Sequence, residues 1–265
     1  MTARESTGKR LWAPAFILCA ALLSACAAAP SGTDPLGTRM SAVELKELGE
    51  KFLGAGDIGQ ALKYLVMAEE KNPRDPETHY ALGLAYDARR LPEEAQAHLL
   101  RAVELRSDYS EAWNALGALH ARNGRLDEAE AAFRKALANP FYTTPHYAHY
   151  NLGQLYEKRG DFSAALAQYD NALHFEPGFA RAHLQRGRAL EALGDRAAAR
   201  RAIGRAIAYD ANLAEAHFHY GRLCALMGDS AQAVTALRQV IQLEPGGTLA
   251  EAAERYLENL ERSRY

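Results

Sequence analysis

From about residue 42 onward, apolar and polar positions recur with the period of an α-helix, and no stretch alternates as a strand would. The pattern itself repeats. Gly49, Gly83 and Gly117 stand 34 residues apart, as do Gly153, Gly187 and Gly221, while the step from Gly117 to Gly153 is 36. Two sets of small residues keep a constant offset from those glycines. One is Ala61, Ala95, Ala129, Ala165, Ala199 and Ala233; the other is Ala68, Ala102, Ala136, Ala172, Ala206 and Val240. Each period thus predicts two amphipathic helices, A and B, in units spanning about 42–75, 76–109, 110–143, 146–179, 180–213 and 214–247. A glycine inside helix A costs about 1 kcal/mol against alanine. Six in register therefore imply close approach of helix B, with its alanine opposite. Leu65, Leu99, Phe133, Tyr169, Ile203 and Leu237 are expected to fill the remaining volume.

Punctuation agrees with this reading. Ser41-Ala-Val-Glu44 is a capping-box pattern. Gly56, Gly124, Gly160, Gly194 and Gly228 mark turns within units, and Asp57, Asp161, Asp195 and Asp229 are placed to cap the helices that follow. Pro73, Pro177 and Pro245 stop helix B. Asp75-Pro76 and Thr144-Pro145 each supply an N-cap and a proline at N1. The stretch 139–153, NPFYTTPHYAHYNLG, holds the two extra residues. It lengthens one turn without ending the ladder. Phe141 is expected to pad that seam and Tyr142 to be a contact residue. Leu249 to Tyr265 reads as a solvating cap helix.

These residues resemble the tetratricopeptide repeat family, through Leu-Gly, the aromatics Tyr86 and Tyr156, Trp113, the alanines and the terminal prolines. Arg186 in place of leucine, and Ser107 and Ala211 in place of proline, depart from its pattern. The resemblance implies an all-α, right-handed superhelical solenoid of about six helical hairpins plus a capping helix, over residues 41–265 with the cap at 248–265. It also implies that helices A line a concave groove. One row of helix-A positions is Lys46, Tyr80, Asn114, Tyr150, Leu184 and Phe218; its neighbour is Glu50, Leu84, Ala118, Gln154, Arg188 and Arg222. The expected groove residues are Tyr80, Asn114, Tyr147, Tyr150, Gln154, Arg188, Phe218 and Arg222, because rigid aromatics supply contact area. The alternative for Tyr80, Tyr150 and Phe218 is packing against the next unit. Lys46 and Asn114 do not complete the clamp some family members use for a C-terminal carboxylate.

The N-terminus carries a different signal. Lys9 and Arg10 precede an apolar run, Leu11 to Ala25, that is shorter than the ~20 residues a spanning helix needs. Residues 1–25 therefore read as an export signal. Leu23-Ser24-Ala25-Cys26 resembles the bacterial lipobox, which implies acylation of Cys26; the alternative is an ordinary cleavage site beside a chance cysteine. With Ala27 rather than aspartate after it, the analogy favours the periplasmic face of the outer membrane. Residues 26–40 would be the acylated cysteine and a flexible tether.

Composition narrows the function. The formal net charge is -2, so there is no broad basic field for nucleic acid. Past the signal only Cys26 and Cys224 remain, which leaves no disulfide framework; Cys224 falls on a core-facing position. No nucleophile–base set, paired-carboxylate arrangement or phosphate loop is recognisable, so no enzyme, cofactor or small-molecule substrate is expected. Among nine histidines, His79, His149, His183 and His217 share one repeat position, which argues for packing, and no metal is expected. The whole layout resembles the type IV pilus biogenesis lipoproteins of the PilF/PilW, pilotin type. They share the lipobox, the tether, about six repeats and a Tyr/Pro junction before Asn-Leu-Gly, here Tyr142, Pro145, Asn151, Leu152 and Gly153. That resemblance implies a non-enzymatic scaffold with protein or peptide partners, secretin subunits among them, and membrane attachment through lipid. The alternative is an adaptor for peptidoglycan hydrolases or another envelope complex.

Overall fold

The computed structural model describes residues 39–262; the expected signal peptide, Cys26 and most of the tether lie outside the described residues. Thirteen helices follow one another: α1 (Ala42–Gly54), α2 (Ile58–Lys71), α3 (Pro76–Ala88), α4 (Pro92–Leu105), α5 (Ser110–Arg122), α6 (Leu126–Leu137), α7 (Pro145–Lys158), α8 (Phe162–Phe175), α9 (Ala180–Ala192), α10 (Arg196–Tyr209), α11 (Ala214–Leu226), α12 (Ser230–Leu243) and α13 (Thr248–Arg262). No strand occurs among the described residues. Each odd helix packs chiefly on the even helix after it, and each even helix on the next odd one. Odd helices also touch the next odd helix (α1 with α3, α3 with α5, α5 with α7, α7 with α9), whereas successive even helices make no contact of like extent among the described residues. A stack closer on its odd side must curve toward it, so the odd helices line the concave face of the superhelix.

Local chemistry sets the helix ends. Ser41 and Glu44 form the reciprocal capping box. The carboxylates of Asp57, Asp75, Asp161, Asp195 and Asp229 accept from the backbone N–H groups of Gln60, Thr78, Ala164, Ala198 and Gln232. Thr144 departs from expectation. It occupies the N-cap of α7 but makes no side-chain cap bond, and its side chain engages Tyr142 instead. Gly56, Gly124, Gly160, Gly194 and Gly228 all turn with φ between 77° and 90°. The same position in the second unit is Arg90, at φ 60°.

The glycine ladder works by a somewhat different contact from the one expected. A Cβ built on Gly49, Gly83, Gly117, Gly153, Gly187 or Gly221 would lie 2.4–2.8 Å from the side chain of Leu65, Leu99, Phe133, Tyr169, Ile203 or Leu237 respectively. The large residue of helix B, rather than its alanine, fills the missing side chain's place. The alanines contribute their backbone: the carbonyls of Ala61, Ala95, Ala199 and Ala233 stand 3.1–3.3 Å from that Cβ. All six ladder alanines from Ala61 to Ala233 are fully buried.

A second contact repeats where tetratricopeptide-type patterns carry tryptophan. Trp113 donates its indole N–H to the Ser107 carbonyl six residues back, at 2.8 Å. His79, His183 and His217 bring Nε2 to the carbonyls of Pro73, Pro177 and Ala211, also six back, at 2.9–3.0 Å. Histidine therefore keeps the tryptophan's hydrogen bond to the end of the preceding helix. His149 sits at the lengthened junction, where its Nδ1 meets Gln168 Oε1 at 2.9 Å.

That junction corrects one expectation. Tyr142 is 8% exposed and packs with Ala136, Ala148, Trp113 and Leu137, whereas Phe141 is 86% exposed. Asn139 sets this arrangement. Its Oδ1 accepts from the Phe141 N–H, and its Nδ2 donates to the Asp108 carbonyl of the preceding unit. The turn so formed sends Phe141 out and Tyr142 in. At the far end, α13 lays Leu249, Ala253, Leu257 and Leu260 against Leu237, Val240 and Ile241, closing the last apolar face.

Candidate protein-binding groove

Two hollows open on the concave side. The N-terminal one, about 330 Å³, is lined by Tyr80, Leu84, Asn114, Ala118, Arg122, Tyr142 and Tyr147 among others. The C-terminal one, about 1000 Å³, is lined by Ala118, Arg122, Gln154, Glu157, Lys158, Arg188, Glu191, His219 and Arg222 among others. Ala118 and Arg122 border both, so the two hollows form one groove that meets on α5.

The two expected rows divide in role. Leu84, Ala118, Gln154, Arg188 and Arg222 all line the groove. The other row reaches the start of the next unit. Lys46 pairs with Glu77 and Asp75, Tyr80 packs on Tyr109 at 5.1 Å, Tyr150 packs on Phe179 at 5.0 Å, and Phe218 packs on Tyr256 at 5.8 Å. Leu184, expected on the groove, is 1% exposed inside the core cluster that Leu213 packs against. This row seals one unit to the next because its side chains leave helix A toward the next odd helix or its N-cap. Tyr80 and Asn114 also border the N-terminal hollow, but Tyr150 and Phe218 border neither hollow. Tyr147 is 47% exposed.

The C-terminal hollow holds Arg122, Lys158, Arg188 and Arg222 against Glu157 and Glu191. Arg222 pairs with Glu191, Arg188 donates to Gln185 Oε1 at 2.7 Å and stands 3.6 Å from Glu215, and Lys158 donates to the Ala121 carbonyl. Burial pushes the His219 imidazole down to about 4, helped by Arg188 and Arg222, so it adds no charge at neutral pH. Burial raises the Glu157 carboxyl, and Arg188 opposes that rise. The lining itself carries four cationic side chains against two carboxylates, and Asp87 and Glu215 at its border pair with Arg122 and Arg188. Arg122 and Lys158, absent from the expected groove set, lie one helical turn beyond Ala118 and Gln154, so the i to i+4 spacing would have found them. Cys224, read as a core residue, is fully buried.

The fold and its groove define a helical-repeat scaffold. The chain belongs to the tetratricopeptide repeat family, which it matches over residues 46–108, 80–142, 184–248 and, for a single repeat, 146–179. The matches leave out residues 143–145, at the lengthened junction, and 180–183. DnaJ homolog subfamily C member 3 of Rattus norvegicus is 32% identical over 127 residues, which are 48% of this chain and 25% of that one. Its Homo sapiens counterpart is 29% identical over 140 residues, 48% and 28% of the two chains. This chain thus spans about a quarter of the length of those relatives. In fold it is similar to PilF of Pseudomonas aeruginosa, with TM-score 0.73, 20% identity, and cover of 81% of this chain and 97% of that one. It is similar also to PilW, described as a widely conserved type IV pilus biogenesis factor, with TM-score 0.73, 23% identity, and cover of 80% and 97%. YrrB, described as a repeat protein with an unusual peptide-binding site, aligns with TM-score 0.54 at 23% identity, covering 72% and 97%.

Proposed function

We propose that the protein is a non-enzymatic scaffold of type IV pilus biogenesis, held at the periplasmic face of the outer membrane by acyl chains on Cys26. It assists secretin subunits in reaching that membrane and multimerising there. The observation that carries the reading is the continuous concave groove, aromatic at one end and cationic at the other. The six-unit layout supports it, since the aligned region spans nearly the whole of PilF and PilW. Lipid fixes one end, residues 26–40 give reach, and the groove takes an extended or helical segment of the partner that carries acidic side chains. Among the described residues no helix is long and apolar enough to cross a membrane, so attachment rests on Cys26 in this reading.

The test is a deletion strain of the source bacterium, complemented with either the parent chain or Cys26→Ser. Membrane fractions are probed for heat-resistant secretin multimers, and cells for surface pili. The reading requires multimers and pili to fall on deletion and to return with the parent chain. It also requires Cys26→Ser to leave the outer-membrane fraction. Unchanged multimers and pili on deletion would overturn the pilus role. Crosslinking to cell-wall hydrolases instead of secretin would assign the same groove to an adaptor.

A further inference from the structure

Away from the groove, at the seam between the first two units, three polar side chains converge from three helices. His79 Nδ1 on α3 lies 3.2 Å from His98 Nδ1 on α4. Glu69 Oε1 on α2 lies 3.5 Å from the first and 3.8 Å from the second. Donor atoms on a common tetrahedral ion, at bond lengths of 2.0–2.1 Å, stand about 3.3 Å apart. The three observed separations bracket that value.

The tautomer needed for ligation is set by the fold. His79 Nε2 faces the Pro73 carbonyl at 3.0 Å, which can only accept, so the proton sits on Nε2 and the Nδ1 lone pair points at the cluster. A backbone carbonyl holding the far nitrogen is the usual support behind a ligating histidine. Trp113, at the same repeat position, makes that bond with an obligatory N–H donor. His98 is held in place by stacking on Tyr86, with centroids at 5.2 Å and planes 11° apart. The His79 side chain is 5% exposed, His98 20% and Glu69 29%, which leaves access for an ion and a water from one side.

The repeat supplies its own comparison. The position of Glu69 is Val103, Leu137, Leu173, Ile207 and Ile241 in the other units, all aliphatic. The position of His98 is Gln168 in the fourth unit and Ala202 and Ala236 in the fifth and sixth. At His183 the equivalent Nδ1 is buried with no partner at all. Packing therefore does not demand a carboxylate or a second imidazole at this seam. Only here do the two coincide beside a histidine with its lone pair turned inward.

We propose that Glu69, His79 and His98 form a three-donor site for a first-row divalent transition-metal ion, Zn²⁺ or one of similar preference, that staples the first unit to the second. Two imidazole nitrogens and a carboxylate suit such ions over Ca²⁺ or Mg²⁺. Bound metal crosslinks α2 to α3 and α4 at the end of the array nearest the tether, where α1 and α2 have a neighbouring unit on one side only.

The full chain, purified in detergent without a histidine tag and stripped with chelator, is titrated with Co²⁺ and with Zn²⁺. The expected result is one Co²⁺ per chain with the strong visible bands of a four-coordinate ion, displaced by Zn²⁺, and a rise in Tm on Zn²⁺ addition. His98→Gln places at this seam the residue that the fourth unit uses to bond His149, so it keeps the fold. It and Glu69→Gln are expected to lose tenfold or more in Zn²⁺ affinity and to abolish the Tm shift, with unchanged helical circular dichroism. His149→Gln is expected to bind as the parent does. Absence of saturable binding, or parent-like binding by His98→Gln, overturns the site.

Discussion

The Cβ that Gly153 lacks would lie 2.4 Å from Cε1 of Tyr169, a ring that is fully buried. A ring cannot fold aside as a leucine tip can, and Ala165, Ala189 and Tyr150 pack around it. Gly153→Ala is therefore expected to destabilise the array by about 1–3 kcal/mol despite the gain of helix propensity. Gly54 is the control. It is helical with nothing within 4 Å of a built Cβ, so Gly54→Ala is expected to stabilise by about 0.5–1 kcal/mol. Urea denaturation midpoints decide both. Equal effects of one sign would refute the steric account.

Arg90 is the one described residue other than glycine with positive φ, at the turn where five other units carry glycine. A side chain in the left-handed region costs about 1–2 kcal/mol, part of which is offset by the lower chain entropy it brings to the unfolded state. Arg90→Gly is expected to raise stability by about 0.5–1 kcal/mol. A drop in Tm on this change would show that the Arg90 side chain makes a stabilising contact stronger than the strain.

The helix pairs, the caps and the glycine ladder were legible in the sequence because each is fixed within one unit by contacts of short sequence separation. Asp57 must cap α2, and Gly221 must face helix B of its own hairpin, whatever the rest of the chain does. The fates of Tyr142, Leu184 and Phe218 were not legible. Each depends on the angle at which the next unit docks, which no single period encodes. Phe141 left the place expected of it, and Tyr142 came to lie in the seam at the edge of the N-terminal hollow, because Asn139, a residue of the turn, bonds backward to Asp108 in the preceding unit. Glu69 met His79 for the same reason: it comes from the preceding unit, and its place beside the His79–His98 pair of one hairpin carries meaning only once two hairpins are stacked.

Acid should weaken the fold through His219. Its side chain is 19% exposed, its pKa falls to about 4, and Arg188 and Arg222 face it while Glu215 stands 3.8 Å away. A histidine with a folded pKa below its unfolded value of about 6.5 binds fewer protons folded than unfolded, so stability rises with pH between the two. Its contribution is present in full above pH 6.5 and is lost as pH falls toward 4, by an amount on the order of 3 kcal/mol. Burial lowers His120 and His183 in the same direction. Urea midpoints from pH 7.5 to 4.5 should fall for the parent and fall less for His219→Gln. Identical slopes would remove His219 as a cause.

Groove and seam residues are separable by the same pair of measurements, stability and partner capture. Lys158 is exposed and Arg188 partly so, and both border the cationic hollow. Lys158→Glu is expected to change stability by less than about 0.5 kcal/mol, as surface substitutions do; Arg188→Gln also removes a bond to the buried Gln185 and is expected to cost about 0.5–1.5 kcal/mol. They should nonetheless weaken capture of an acidic partner severalfold, the more so at low salt, where long-range attraction is least screened. Tyr150 and Phe218 should behave in the opposite way. Each packs against an aromatic of the following unit, Phe179 or Tyr256, and borders neither hollow. Tyr150→Ala and Phe218→Ala are expected to cost about 2–4 kcal/mol through the void left between units. Any loss of capture they show should be restored under conditions that restore folding. Crosslinking yield to the proposed secretin partner, read beside urea midpoints, distinguishes the two classes. If Tyr150→Ala folds like the parent and still loses its partner, then the seam row binds as well as seals, and the groove extends beyond the two hollows.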